Sequence, residues 1–371
     1  MTSLWRRFGL ALALAGLTQV GAAAIKSAQS APPAKESRAP AKTSSAPRAA
    51  PKPPAAPAYL RDRIDQLGKA FDGRVGIAVR SVDDGWETGW KDNELYPQQS
   101  VSKLWVSMTA LDAVDKGRVS LNDKVTLTRS DLTLFHQPIR DLILGRGGYT
   151  TSLGELMVKA ITTSDNTAND KLMRAVGGPD AVRSMISAKR LGAIRFYDGE
   201  RALQSRIAGL IWSQSYSIGN AFFEARDALP MAVRRAAFNR YIEDPYDGAA
   251  PSAIVGALAR LKRGELLSPP STARLLNIMA NTHTGPNRLK GGLQPGWSLS
   301  HKTGTGQQLG AVQAGYNDIG ILTAPDGKSY AVAVMIKKTS TPLPVRMTLM
   351  NNVVKAVIDQ HGMVKGEGNA L

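Results

Sequence analysis

Ser100 and Lys103 stand three residues apart. At that spacing on a helix two side chains share a face, so the Ser100 hydroxyl lies beside the Lys103 amine. A serine is a weak nucleophile until a neighbouring base takes its proton, and this pair holds both parts. Further along, Ser164-Asp165-Asn166 offers a hydroxyl and a carboxamide. Lys302-Thr303-Gly304-Thr305-Gly306 offers a cation next to two threonines. Between them Glu200 adds a carboxylate of the kind that polarises a water. Together these groups could open an amide through a serine acyl-enzyme and then hydrolyse the ester. Each also has a plainer alternative. Ser100 suits a helix cap, Ser164-Asp165-Asn166 a polar turn, Lys302-Thr303-Gly304 a strand end, and Glu200 a solvated loop. A lone Ser-x-x-Lys arises about once by chance in a chain this long. The three motifs in this order do not.

Periodicity indicates the elements that must position these groups. Leu60, Ile64, Leu67 and Phe71 repeat at helical spacing, and Gly73 ends that helix. Residues 74–82 and the segment after Gly85 read as paired strands. Val101, Leu104, Met108, Leu111 and Val114 predict a helix over 100–116 that begins at the nucleophile and stops at Gly117. Its free N-terminal N–H groups would face an oxyanion. A mostly helical stretch runs to about residue 280, including 153–161 just before Ser164. Strands return at 297–302, 316–322 and 329–336, and a helix over 345–360 closes the fold. The two chain ends thus predict an α/β layer and the middle a helical layer. Lys302–Gly306 is expected as an edge strand with Thr303 and Thr305 on one face, its glycines leaving room for a substrate to approach.

With 371 residues, 43% of them hydrophobic, the chain has material for one large or two modest domains. The absence of cysteine excludes disulfides, thiolate metal sites and thiol nucleophiles. The four histidines show no paired ligand spacing, so no metal and no other cofactor is expected. The net charge is +17, of which residues 1–57 carry +7. It fits a solvated basic surface, or attraction to an anionic cell wall or envelope. No aromatic-and-basic stripe points to nucleic acid. Residues 1–24 have the form of an export signal: Arg6 and Arg7, an apolar run from Phe8 to Val20, then Ala22, Ala23 and Ala24. The apolar run only touches the lower length of a membrane span, which leaves an uncleaved anchor as the alternative. Residues 25–57 hold ten alanines and eight prolines and are expected to form an extended spacer. The expected location is the periplasm or the exterior.

Over residues 58–365 the chain resembles the class A serine β-lactamases, and within them the PER-like branch. The resemblance rests on the three motifs and on four longer stretches: TTSDNTAND around Ser164, TGPNRLKGGLQPGW around Arg288, HKTGTG at Lys302 and YNDIGILTAPDG after it. Two features point to the PER-like branch: Asp170, where most class A enzymes carry asparagine, and the long excursion from Lys302 to Asn317. The resemblance implies an α/β plus all-α, β-lactamase/transpeptidase-like fold: an antiparallel sheet flanked by helices with an inserted helical domain. It implies hydrolysis of a small-molecule β-lactam by a monomer. Ser100 is then the nucleophile, and Lys103, or Glu200 through a water, is its base. The backbone amides of Ser100 and Thr305 form the oxyanion hole. Ser164, near Lys302, protonates the leaving nitrogen, while Asn166 and Thr303 bind substrate. Asp165 braces the turn. Glu200 follows Ser164 by 36 residues, at the family's spacing, and implies a deacylating base, with Gln204 holding its water. Arg288, 14 residues before Lys302, implies an anchor for the substrate carboxylate. The same fold also hosts DD-peptidases, esterases and penicillin-binding cell-wall proteins that turn over slowly.

Two departures bear on the last step. The interval of 102 residues from Glu200 to Lys302 exceeds the family pattern, and the excess falls at about 205–247. Its apolar content predicts a packed helical insert rather than disorder. Two residues before Glu200, Asp198 replaces the usual arginine, so the salt bridge that staples this loop in the family is not expected here.

Overall fold

The computed structural model describes residues 54–366. The expected signal at 1–24, and the spacer as far as residue 53, lie outside the described residues. The first half of the fold runs α1 (Ala58–Ala70), β1 (Arg74–Ser81), β2 (Glu87–Trp90), β3 (Tyr96–Pro97), α2 (Lys103–Asp115), β4 (Lys124–Leu127), α3 (Arg140–Arg146) and β5 (Tyr149–Ser152). Then come α4 (Leu153–Thr162), α5 (Asn166–Ala175), α6 (Gly178–Ala188), α7 (Glu200–Ile207), α8 (Ala221–Asp227) and α9 (Met231–Glu243). The chain continues through β6 (Gly248–Ala249), α10 (Pro251–Lys262), α11 (Pro269–Ala280), β7 (Ser298–Thr305) and β8 (Gln308–Leu309). It ends with β9 (Val312–Thr323), β10 (Ser329–Thr339) and α12 (Leu343–Lys365).

Strand alternation divides the core in two. The main sheet is antiparallel with strand order β2-β1-β10-β9-β7, and β8 pairs with β9. Ile77 lies opposite Val334 and Val79 opposite Val332. These residues pack with Leu60 and Ile64 of α1 and with Met350, Val353 and Val357 of α12. Their neighbours Ala78, Ala331, Ala333 and Met335 point to the other face, into a larger core with Leu104, Trp105 and Met108 of α2 and Ile254 and Leu258 of α10. The period of two that marks a strand in sequence is therefore what lets one sheet serve two helical layers. Helices thus cover both faces of an antiparallel sheet, the layering the resemblance implies, with α1–β2 and β7–α12 in the α/β layer as expected.

Helix α2 is buried on every side from Lys103 to Ala113. A helix without a solvent face belongs to the centre of a domain. This one carries its N-terminus, and with it Ser100 and Lys103, to the junction of the sheet and the helical layer. It begins later than periodicity suggests. Residues Gln99–Ser102 form a 3-10 turn that passes into α2 at Lys103. The middle region also contains two small strand pairs, β3 with β6 and β4 with β5, which are too short to give a periodic signal. The last helix is longer than 345–360 at both ends.

Strand β7 is the edge strand anticipated from its motif. Its glycines act differently from expectation. A Cβ on Gly304 would lie 2.3 Å from the Gln98 carbonyl oxygen, and one on Gly306 would lie 1.7 Å from that of Ala314. Both contacts are to backbone, so neither can be relieved by rotating a side chain. Gly304 brings β7 against the turn that holds Ser100, and Gly306 lets the chain just after β7 close on β9, so the missing side chains serve packing. Asn317 of β9 completes that seam, donating from Nδ2 to the carbonyls of Pro97 (2.7 Å) and Gln98 (3.0 Å).

Candidate active site

Lys103 is the junction of the site. Its Nζ is fully buried and lies 2.6 Å from Ser100 Oγ, 2.6 Å from Asn166 Oδ1 and 2.9 Å from Glu200 Oε1. The Ser164 carbonyl is a further acceptor at 3.2 Å. Three segments far apart in sequence thus meet at one ammonium. A buried cation without acceptors carries a desolvation cost of several kcal/mol, so these contacts are what permit a lysine at this place.

Ser164 Oγ lies 3.0 Å from Lys302 Nζ. Burial, with the charges of Lys103 and Arg288 nearby, pushes the Lys302 ammonium well below the usual lysine range. That makes it a ready proton partner for the Ser164 hydroxyl. The turn bearing Ser164 is strained: Ser164 has φ +60, and so do two other side-chain-bearing residues at the site, Gln99 at +53 and Phe135 at +59. Such backbone persists only where its surroundings enforce it. At Ser164 the enforcement comes from Asp165, which accepts from the backbone N–H of Ala168 (2.9 Å) and of Ile139 (2.6 Å). Asp165 is thus the brace foreseen for it. Asn166 Nδ2 donates to the Leu134 carbonyl at 2.9 Å, which sets the segment carrying Phe135 beside the site.

The glutamate loop has replacements for the missing staple. Asp198 pairs with Arg183 of α6 at 3.0 Å. Asp170 sits beneath the start of α7 and accepts from the N–H of Glu200 at 3.0 Å and of Arg201 at 3.4 Å. It caps from a distance a helix whose own preceding residue, Gly199, has no side chain to do so. Burial, and then the Glu200 charge, raise the Asp170 carboxyl. Gln204 is one turn after Glu200 on α7. Its Nε2 donates to Glu200 Oε2 (3.1 Å) and Gln99 Oε1 (3.0 Å), and its Oε1 accepts from Gln307 (3.0 Å). This amide therefore orients Glu200 directly.

Behind Gln99 lies a buried pair from the insert. Tyr241 Oη donates to Asp247 Oδ1 at 2.9 Å, Gln99 N–H donates to Asp247 Oδ2 at 2.7 Å, and Gln99 Nε2 donates to Tyr241 Oη. The end of the insert therefore holds both the residue before Ser100 and, through Gln99 and Gln204, the carboxylate of Glu200. The insert itself is packed. Phe238, Tyr241 and Ile242 of α9 lie against Leu203 and Ile207 of α7 and against Ala314.

On the opposite wall, Thr303 Oγ1 meets Thr284 Oγ1 at 2.6 Å, and Thr305 Oγ1 accepts from Arg288 Nη2 at 2.6 Å. Arg288 Nη1 is held by the carbonyls of Gly304 and Asn317, and its guanidinium lies 3.8 Å from the Tyr316 ring centroid. Arg288 is fixed under the rim, and its charge reaches the site partly through Thr305. Ser100, Ser164, Asn166, Gln204, Arg288 and Thr305 border one cavity of about 520 Å³. Every site residue inferred from sequence thus lies at this cavity or, for Lys103, Glu200 and Lys302, directly behind its wall.

A model of the Beta-lactamase enzyme family matches residues 59–361. The chain belongs to that family. It is 30% identical to the extended-spectrum β-lactamase PER-1 of Pseudomonas aeruginosa over 285 residues, 76% of this chain and 80% of that protein. It is 25% identical to β-lactamase VEB-1 of the same organism over 294 residues, 79% and 87% of the two chains. Among solved structures, a β-lactamase from Chitinophaga pinensis superposes with a TM-score of 0.66 at 27% identity, covering 81% of this chain and 99% of that one. The TLA-1 extended-spectrum enzyme gives 0.66 at 29% identity, covering 81% and 97%. The class A assignment and its PER-like character stand on these likenesses.

Motif reasoning did not anticipate that Gln99, Tyr241 and Asp247 brace this β-lactamase's site, or that Phe135, Phe223 and Arg226 border its cavity. Gln99 had one signal, its place beside the nucleophile. The rest are single ordinary residues whose meaning depends on distant partners. Asp247 carries a measurable consequence. Burial raises its carboxyl from 3.8 to about 7 in the folded protein, against the lowering effect of its hydrogen bonds. A group with a raised folded value stabilises fully below its unfolded value and loses that contribution as pH rises through the folded one. The stability of wild type relative to Asp247→Asn should therefore fall from about pH 4 to about pH 7, by on the order of a few kcal/mol. Paired thermal melts across that range test this. A difference that does not change with pH would show that Asp247 does not titrate there.

Proposed function

We propose that this protein hydrolyses β-lactams through an acyl-enzyme on Ser100 and that Glu200 carries out the release. The observation that carries this is the position of Lys103 Nζ between Ser100 Oγ at 2.6 Å and Glu200 Oε1 at 2.9 Å. Lys103 passes a proton to Glu200 and takes that of Ser100 as Oγ attacks the lactam carbonyl. The backbone N–H groups of Ser100 and Thr305 receive the oxyanion. As the C–N bond breaks, Ser164 gives its proton to the ring nitrogen and is re-supplied from Lys302 or Lys103. Thr303, Thr305 and Arg288 hold the ring carboxylate, and Asn166 the acyl side chain. Glu200 first gives its proton back to Lys103 or, through the Ser164 relay, to Lys302. Water then attacks the ester, the Glu200 carboxylate accepts its proton, and that proton passes to Ser100 as the ester bond breaks. Gln204 positions Glu200 for this second step.

A penicillin-binding protein that stays acylated has no use for a buried carboxylate joined to the nucleophile's lysine. Glu200 therefore favours the hydrolytic enzyme over that alternative and over a peptidase on the same fold. Intact-mass measurement after mixing with benzylpenicillin separates the steps. Glu200→Ala should accumulate a one-to-one adduct that decays at least about a hundredfold more slowly than in wild type. Glu200→Gln, which keeps the side-chain volume, should do the same if removal of the buried partner unfolds the alanine variant. Ser100→Ala should form no adduct. Turnover at the wild-type rate in both Glu200 variants would remove this residue from the mechanism.

We further infer that residues 1–24 direct export to the periplasm and are removed. Support comes from Arg6, Arg7, the apolar run and the alanine cluster at 22–24. Among the described residues no helix is long and apolar enough to cross a membrane. N-terminal sequencing of protein recovered from a periplasmic extract should begin shortly after Ala24. Recovery of the intact N-terminus in the membrane fraction would point to an anchor instead.

A further inference from the structure

Helix α8 has only seven residues, too few to be stable alone. It is held by Phe222, 1% exposed, which packs with Leu134 and Ala208 and meets the Phe135 ring edge-on at 5.1 Å and 86°. Burying one phenylalanine takes enough apolar surface out of water to fix so short an element. With Phe222 turned inward, Phe223 and Arg226 turn toward the cavity that contains Ser100. Phe223 is 42% exposed and Phe135 is 41% exposed, and their ring centroids stand 6.2 Å apart. Two phenylalanines in tilted contact and left half in water at the mouth of an active site form an apolar face on which a flat group can pack. Arg226 lies over the Phe223 ring at 5.1 Å. It shares the carboxylate of Asp227 with Arg234, at 2.9 and 3.1 Å, so the trio keeps one positive charge.

This cluster lies on the Asn166 side of the cavity, because Leu134, which precedes Phe135, accepts from Asn166. The ring-carboxylate groups Thr303, Thr305 and Arg288 lie on β7 and the segment before it, at the other wall. A β-lactam acylating Ser100 with its carboxylate on that wall turns its acyl side chain toward α8. We infer that the insert supplies a side-chain subsite, formed by Phe135, Phe223 and Arg226, that selects β-lactams whose acyl group is aromatic and carries a negative charge. The aromatic ring packs against the exposed faces of the two phenylalanines, and the anionic substituent pairs with Arg226. This rests on the β-lactamase function proposed above and adds a substrate class to it.

Two penicillins differing by a single carboxylate provide the test: benzylpenicillin and its α-carboxy derivative. Wild type should have the higher kcat/KM for the carboxylated compound. Arg226→Gln should lower the ratio of the two specificity constants by about tenfold, the equivalent of one charge-assisted hydrogen bond. Arg226→Lys should restore part of it. Phe223→Ala should lower kcat/KM for benzylpenicillin several-fold relative to 6-aminopenicillanic acid, which has no aromatic group. Because each readout is a ratio within one variant, a general loss of folded enzyme cancels. Ratios unchanged in Arg226→Gln and Phe223→Ala would overturn the subsite while leaving the hydrolytic function standing. If wild type neither forms an adduct with benzylpenicillin nor hydrolyses it, the β-lactamase function fails, and the subsite with it.

Discussion

A single buried ammonium determines how the centre of this molecule is assembled. Lys103 has no solvent, and its acceptors come from the nucleophile turn, the Ser164-Asp165-Asn166 turn and the glutamate loop. Removing the acceptors one at a time would leave a buried charge progressively unpaired, at roughly 3–5 kcal/mol for the loss of an ionic partner. The fold therefore cannot relax the glutamate loop away from Ser100 without a large penalty. Electrostatic necessity and catalytic geometry coincide: the contacts that make the lysine tolerable place the nucleophile and a water-activating carboxylate on the two sides of its nitrogen. Helix α2, buried all round, and strand β7, pressed close by Gly304, hold Ser100 in register with that nitrogen.

The helical insert belongs to the same logic. The family's loop staple is absent, with Asp198 turned to Arg183. Its work passes to Asp170 beneath α7 and to the Tyr241–Asp247 pair, which reaches Glu200 through Gln99 and Gln204. These bonds are buried, whereas Asp198–Arg183 is solvent-exposed and contributes at most about 1 kcal/mol. Holding the loop from behind also leaves α8 free to face the cavity with Phe223 and Arg226. One insertion thus braces the catalytic carboxylate with its buried side and shapes the substrate entrance with its open side.

The catalytic chemistry was legible in the sequence because it needs fixed residue types at fixed local spacing. Ser100 and Lys103 must be one helical turn apart, and Thr303 and Thr305 two strand positions apart. Glu200 was legible by its interval from Ser164. The layered fold was legible from alternation in β1, β9 and β10 and from helical repeats in α1. What could not be read depends on contacts across long separations. Gly304 looked like room for a ligand, yet its closeness to Gln98 is a property of two segments meeting in space. Gln204 stood out for its place one turn after Glu200, but its partners Gln307 and Gln99 lie about a hundred residues away in the chain. Phe222 and Phe223 are identical neighbours, one an anchor and the other open to the cavity, and a seven-residue helix offers no repeat to tell them apart. Tyr241 and Asp247 meet Gln99 over more than a hundred residues, which no local pattern encodes.

The central claim is that Glu200 is held ready to release the acyl group despite the altered loop. The most direct measurement is the stoichiometry of wild-type reaction with a chromogenic cephalosporin, followed from the first turnover into the steady state. Poised as the geometry places it, Glu200 should sustain linear hydrolysis through many equivalents of substrate per enzyme. A burst of one equivalent followed by arrest, with the acyl group still on Ser100, would contradict it.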